Sequence, residues 1–461
     1  MPARKGRLDP TELDGVEARN RIESGALSAE DLARACTGLI GAHEEPVHAW
    51  AYVDASDVIE QARAMDSFRK SGRPLGSLHG LPVAVSDLVD VRRMPAGRGN
   101  VLDAANRVAN DAWVVSRLRA AGAIVAGKAA TSECGVPVAA RTRNPHDSER
   151  SAGAAAAGCA AAVALRVTPL AVAADPGGSL IQSASYCGVT GYRPTFGTAP
   201  RTGTLQTAPS VSTVGAIART VPDVALLGDV ISGYDPGDPD TQACPGPRLL
   251  DIATAVPPVV PHVALLKALP GIDTYDDCAE GFGELSHVLG SHCDEIDLPP
   301  IFAEAVGACE QVVQAELAAS LRHYAERAAD VLDEATREFI ERGRRVSAPD
   351  YLAAKNWREI LYTGLCEIFD RYDAIVVPAA PGEAPLHDKF IDPTRFNAIW
   401  TLTGVPSVTL PLLQGARGLP VGVQVVGRRY FDGRLLRTAR WLANLVAGVP
   451  DTTFESAQRG I

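Results

Sequence analysis

With 461 residues the chain can bury a large core, as two or three domains or as one large α/β unit. Its 46% hydrophobic and 21% charged residues are ordinary for a globular protein, and a net charge of −11 argues against a general nucleic-acid or anionic-membrane surface. No stretch offers the roughly 18 uninterrupted apolar residues of a membrane span. The opening "MPARKGRLDPTELDG" has no apolar run behind its basic residues, so it does not read as a secretory signal. The nine cysteines are scattered with no C-x-x-C pair, which fits reduced, mostly buried thiols. The expectation is a cytoplasmic protein.

In chain order, "SAEDLARACTGLIGAHE" begins with an N-cap Ser and carries apolar residues at helical spacing. "LPVAVSDLVDV", "AAGAIVAGKAA" and "VTPLAVAAD" contain short apolar runs bounded by Gly, Pro or Asp, as buried strands do. "DAWVVSRLRAAG" is helical, as is the second half of "SAGAAAAGCAAAVAL". The Pro-rich piece "ACPGPRLLDIATAVPPVVP" is the best internal boundary. From about Ile301 to Tyr372 the pattern becomes helical and charged, its charges suiting a solvated face. Strand patterns return at "DAIVVPAAP", "PSVTLPLL" and "PVGVQVVG". The alternation predicts an α/β fold around a large mixed, mainly parallel sheet flanked by helices.

Two near-motifs are discarded. "GAIVAGKA" lacks the hydroxyl that a phosphate loop needs after its Lys, Ala129 standing there, and its interior reads as strand. "HEEP" is not H-E-x-x-H, and lone histidines such as His146 and His323 have no partner of ligand spacing. No metal, nucleotide or flavin motif is found, so no cofactor is expected.

"GSLHGLPVAVSDLVDV", "GKAATSECG", "RNPHDSERSAGAAAAGCAAAVA" and "ADPGGSLIQSASYCGVTGYRPTFGTAPRTG" together resemble successive blocks of the amidase signature family. The likeness continues in "VGAIARTVPDVALLGDVISGYDPGD", "YDAIVVPAAP" and "FNAIWTLTGVPSVTLPLLQGARGLPVGVQVVG" and is weakest between about 240 and 370. It implies one amidase-signature domain over residues 1–461, with a variable helical region at about 300–370.

Members of that family hydrolyse amides with a Lys, a bridging Ser in a cis peptide and a nucleophilic Ser. The nucleophile needs a neighbouring base, a neutral Lys can act through the bridging hydroxyl, and backbone N–H groups stabilise the oxyanion. Here "PVAVSD" places Ser86 at the Lys position and "GAAAAGCA" places Ala155 at the bridging position. "DPGGSLI" retains the nucleophile position as Ser179 in the oxyanion turn Pro176, Gly177 and Gly178. Pro176 has no N–H to offer. Removing one member of a catalytic unit costs about 10⁴–10⁶ in turnover. These positions give the expectation of a degenerate triad: a pseudoenzyme whose pocket is repurposed for a small molecule without hydrolysis. Asp175 reads as a buried acceptor at the pocket edge, and Tyr186 and Trp400 as aromatic contacts within it. Cys159 and Cys187 read as inert core thiols.

Two alternatives stay open. One is a scaffold or partner subunit, with the helical region as docking surface. The other is an amidase using Ser179 with an unrecognised base, for which His323, Glu310 and Glu316 are on offer. The expected partners are a small molecule and, as open options, a second copy or another protein, with no nucleic acid and no membrane.

Overall fold

The computed structural model describes residues 9–243, 246–327 and 330–449. The first eight residues of the opening segment and two residues of the Pro-rich boundary lie outside that range.

The strands are β1 (Trp50–Val53), β2 (Pro82–Ser86), β3 (Ile124–Ala129), β4 (Arg143–Asn144), β5 (Asp147–Ser151), β6 (Leu170–Asp175) and β7 (Thr190–Arg193). They continue with β8 (Thr213–Ala218), β9 (Val263–Leu265), β10 (Cys293–Glu295), β11 (Ala374–Pro378), β12 (Ser407–Gln414) and β13 (Pro420–Val426). Eleven of them form one sheet in the order β1-β3-β2-β6-β8-β7-β12-β13-β11-β9-β10, while β4 and β5 pair separately. Fully buried runs such as Val83–Val85, Leu170–Ala173 and Val263–Leu265 explain why these strands read as continuous apolar segments: helices cover both faces.

The large mixed sheet expected from the sequence is present, but it is not mainly parallel. Parallel ladders join β2 to β3 and β6, and β9 to β10 and β11. The remaining six ladders are antiparallel. Alternating apolar runs and helices reveal strands but not their direction. Here the close connection between β12 and β13, and the return of β7 onto β8, set antiparallel pairing.

The helical expectations hold. Ser28 caps the helix Ala29–Val47 by accepting the Asp31 N–H at 2.9 Å. The segment after Ile301 forms helices Glu304–Ser320, Arg322–Arg327, Glu334–Arg344 and Ala348–Phe369. The "GAIVAGKA" run is β3 rather than a cradle. Among the described residues no helix is long and apolar enough to cross a membrane.

Candidate active site around Ser179

The site is built where β6 ends. Asp175 closes the strand, Pro176-Gly177-Gly178 turns the chain, and Ser179 begins the helix Ser179–Cys187. Gly178 has φ +90°, and a Cβ there would come within 2.6 Å of Asn397 Cβ. Gly177 is restricted differently, since its Cβ would lie 2.7 Å from Thr394 Cγ2. Both glycines therefore answer to close approach by the segment 394–397, and Gly178 also to backbone conformation.

Asp175 locks this turn. It is fully buried, accepts the Leu180 N–H at 3.2 Å through Oδ1, and pairs with Arg193 Nε at 2.8 Å through Oδ2. It is thus the buried acceptor that the sequence suggests, and it orients the first turn of the helix. The first N–H groups of any helix lack intrahelical partners and carry the positive end of its dipole. Of these, the Leu180 N–H is taken by Asp175.

Ser179 is buried, and its Oγ accepts the Ala156 N–H at 3.0 Å. The alanine stretch therefore touches the nucleophile position through backbone. Ala154 to Ala157 are all fully buried; Ala157 N–H bonds Ala154 C=O at 3.0 Å, and the helix begins at Ala157. Gly153 cannot carry a side chain, since a Cβ would meet Ser183 Oγ at 2.1 Å. Gly158 is equally constrained by the carbonyls of Ala130 at 2.4 Å and Ala49 at 2.6 Å. The dense alanine packing is the reason this loop lies so close to both the sheet and Ser179.

Ser86 ends β2, fully buried, and its Oγ accepts the Leu88 N–H at 3.3 Å. Beside it lies a cation that the sequence reading passed over. Lys128, on β3, pairs with Asp87 Oδ1 at 3.0 Å and donates to the carbonyls of Pro95 at 3.1 Å and Asp87 at 3.4 Å. Register explains it: Val85 of β2 lies opposite Lys128. Lys128 thus has three acceptors in reach, one for each N–H bond of an ammonium group.

A small cavity opens onto Ser179, with Ala154, Pro176 and Gly177 as its floor. Val313 and Leu317 of the helix Glu304–Ser320 form its roof with Pro393 and Thr394. It has room for about one water molecule. Tyr186 and Trp400 do not line it, which corrects their assignment as pocket aromatics. Tyr186 lies near the far end of its helix and packs on Ala380 and Ala384, while Trp400 is buried in the cluster with Phe396 and Ile399. Adjacency in sequence blocks gave no account of which helix face each ring occupies.

Asp392 immediately precedes the two roof residues Pro393 and Thr394. Its Oδ1 accepts from Thr394 N–H at 2.8 Å and from the Thr394 hydroxyl at 2.6 Å. Burial pushes the Asp392 carboxyl up to about 6, with Glu310 adding to the rise and Arg342 opposing it. Nothing in local sequence marks Asp392, because its environment comes from distant helices. Of the bases on offer from the sequence, Glu316 is engaged with Ser210 N–H and Tyr351 O–H, and His323 is exposed, edge-on to Tyr324. Glu310 accepts from Gln314 at 2.8 Å. Burial pushes the Cys159 thiol up to about 12 and raises Cys187 further, as expected of inert core thiols. Among the described residues no group of three or more His, Cys, Asp or Glu could hold a metal ion.

Ser179 thus stands on a strand-turn-helix corner, its hydroxyl held by one backbone N–H from the alanine loop. The amidase family model matches residues 31–436, and the chain belongs to the amidase signature family. The chain is 30% identical to a glutamyl-tRNA(Gln) amidotransferase subunit from Salinispora arenicola over 95% of this chain and 98% of that one. It is 33% identical to the same-named subunit of Symbiobacterium thermophilum over 93% and 95%. Among solved structures, native peptide amidase from Stenotrophomonas maltophilia superposes with a TM-score of 0.83 at 25% identity, covering 95% and 97%.

These relatives overturn the expectation of a pseudoenzyme with a dismantled triad and a repurposed, non-hydrolytic pocket. End-to-end likeness to amidotransferase subunits outweighs an inference drawn from a few positions. Ser179 and its Gly-Gly turn are in place at the end of β6. A serine can be activated by a base placed elsewhere.

Proposed function

We propose that this chain is an amide C–N hydrolase with Ser179 as nucleophile, working in company with a protein partner as its amidotransferase relatives are named to do. The observation that carries this reading is the retained Gly-Gly-Ser corner, with Ser179 at the start of its helix and locked from behind by Asp175. Ser179 Oγ attacks the amide carbon while its proton passes to a base. The oxyanion faces the N–H groups of the turn, and collapse expels the amine, which takes up the proton. Water then cleaves the ester and restores the serine.

Asp392 is the base we assign. Burial raises its carboxyl to about 6, and its Oδ1 accepts from the N–H and hydroxyl of Thr394, a residue of the cavity wall. The cavity has room for about one water molecule, so this conformation does not hold an amide at Ser179. The test is ammonia release from glutamine and simple carboxamides by purified protein, alone and with its co-purifying partner. Ser179→Ala is expected to abolish release; undiminished release from that variant would reject the nucleophile.

A further inference from the structure

The N-terminal helix Gly15–Ser24 is tied to the helix Val221–Ile231 through one carboxyl group. Asp223 stands in the first turn of the second helix, where the Thr220 hydroxyl accepts its N–H at 3.2 Å, and its side chain crosses to the first. Its Oδ1 accepts the Val16 N–H at 2.8 Å. The approach is close: a Cβ on Gly15 would lie 3.1 Å from that oxygen and 3.2 Å from Leu170 Cδ2. Leu170 opens β6, so the junction lies at the opposite end of that strand from Asp175 and Ser179. Two helix N-termini thus meet on a single, fully buried carboxyl group.

The surroundings suit a neutral acid better than an anion. Asp223 Oδ2 is buried with no hydrogen-bond partner, whereas an ionised carboxylate needs donors on both oxygens. Asp14, the N-cap of the helix Gly15–Ser24, brings a second carboxylate to the junction. Arg219 is the cation on this side, but its Nη2 donates to Leu13 C=O, and it makes no ion pair with Asp223 among the described residues. Beyond it, Arg166 is paired with Glu12, and burial holds the Cys36 thiol of the helix Ala29–Val47 neutral. Leu170 brings no charge. The N-terminal amides favour the anion, but burial and Asp14 outweigh them, and the Asp223 carboxyl is pushed up to about 6.

We propose that docking of the N-terminal helix is proton-linked: neutral Asp223 latches its first turn, and loss of that proton to solvent loosens it. The sign follows from linkage. A carboxyl that holds its proton more tightly docked than undocked favours docking at low pH, and the preference fades as pH rises through about 6. Above that range docking depends on the buried side chains of Ala18 and Ile22. The latch does not rest on the reading of Ser179.

Hydrogen–deuterium exchange of the full chain tests it, read by mass spectrometry on peptides from residues 14–24 and corrected for the intrinsic pH dependence of exchange. The opening constant is expected to rise about tenfold between about pH 5 and 7 and then to level. Asp223→Asn keeps the shape but cannot ionise, so its opening should not depend on pH. Asp14→Asn keeps a good N-cap and removes the like charge, so levelling should begin at a lower pH. That second variant tests the latch even where Asp223→Asn folds poorly. Equal wild-type opening at both ends of the pH range overturns the proposal, as does a rise that survives in Asp223→Asn or an unshifted profile in Asp14→Asn. A rise of the same size in peptides from the helix Asp432–Val446 would mark a change in the whole protein and refute the latch as well.

Discussion

Asp175→Asn probes the support beneath the nucleophile. The carboxylate is fully buried and shared between Arg193 Nε and the Leu180 N–H, and the Arg193 side chain is 1% exposed. Arg193 keeps a bond from Nη2 to Val211 C=O at 2.7 Å, while its Nη1 has no partner. Asparagine conserves shape but leaves an uncompensated buried guanidinium. Removing one partner of such a pair costs about 3–5 kcal/mol. Equilibrium urea unfolding should show that loss as a lower midpoint with an unchanged slope. Replacing both members, Asp175→Leu with Arg193→Met, should cost less than Asp175→Asn alone, because no charge is stranded. A loss below about 1 kcal/mol in the single variant, within the range of an exposed pair, would refute the claim that this ion pair holds the turn.

Gly178→Ala should destabilise by about 2–5 kcal/mol and abolish amide hydrolysis, since it adds left-handed strain to a 2.6 Å approach to Asn397; thermal unfolding and ammonia release measure both. If Asp392 is the base, its ionised form is the active one. kcat/KM should then fall as pH drops through about 6, and Asp392→Asn should remove that limb along with most of the rate. A limb that persists in Asp392→Asn would transfer the role to another group. Leu317→Ala removes part of the cavity roof; it should cost about 2–5 kcal/mol while lowering KM for bulkier amides, as read by steady-state kinetics across an amide series.

Much of the fold is legible in the sequence because burial on both faces makes strands such as β2, β3 and β6 read as short unbroken apolar runs between Gly, Pro and Asp. Their directions are not legible, since a ladder's sense depends on which strand lies beside it, and β6 meets β2 parallel but β8 antiparallel. At the site, Ser179 and its glycines stand in one local motif and can be read directly. Lys128 and Asp392 cannot. Lys128 acquires its meaning from the pairing of β3 with β2, and Asp392 from burial near Glu310 on another helix. Inferring inactivity from Ser86 and Ala155 weighed a few local positions against a likeness that runs the length of the chain. The alanine loop misled in the same way: its side chains carry no chemistry, yet the Ala156 N–H bonds the Ser179 hydroxyl.

The central claim is that Ser179 performs amide cleavage. Its most direct test is single-turnover incubation of the purified protein, with its partner present, with a radiolabelled carboxamide, followed by mass analysis of the peptide that holds residue 179. The account predicts an acyl adduct on Ser179, ammonia released in equal amount, and neither in Ser179→Ala. Ammonia release without an adduct, and at the same rate in Ser179→Ala, would contradict it.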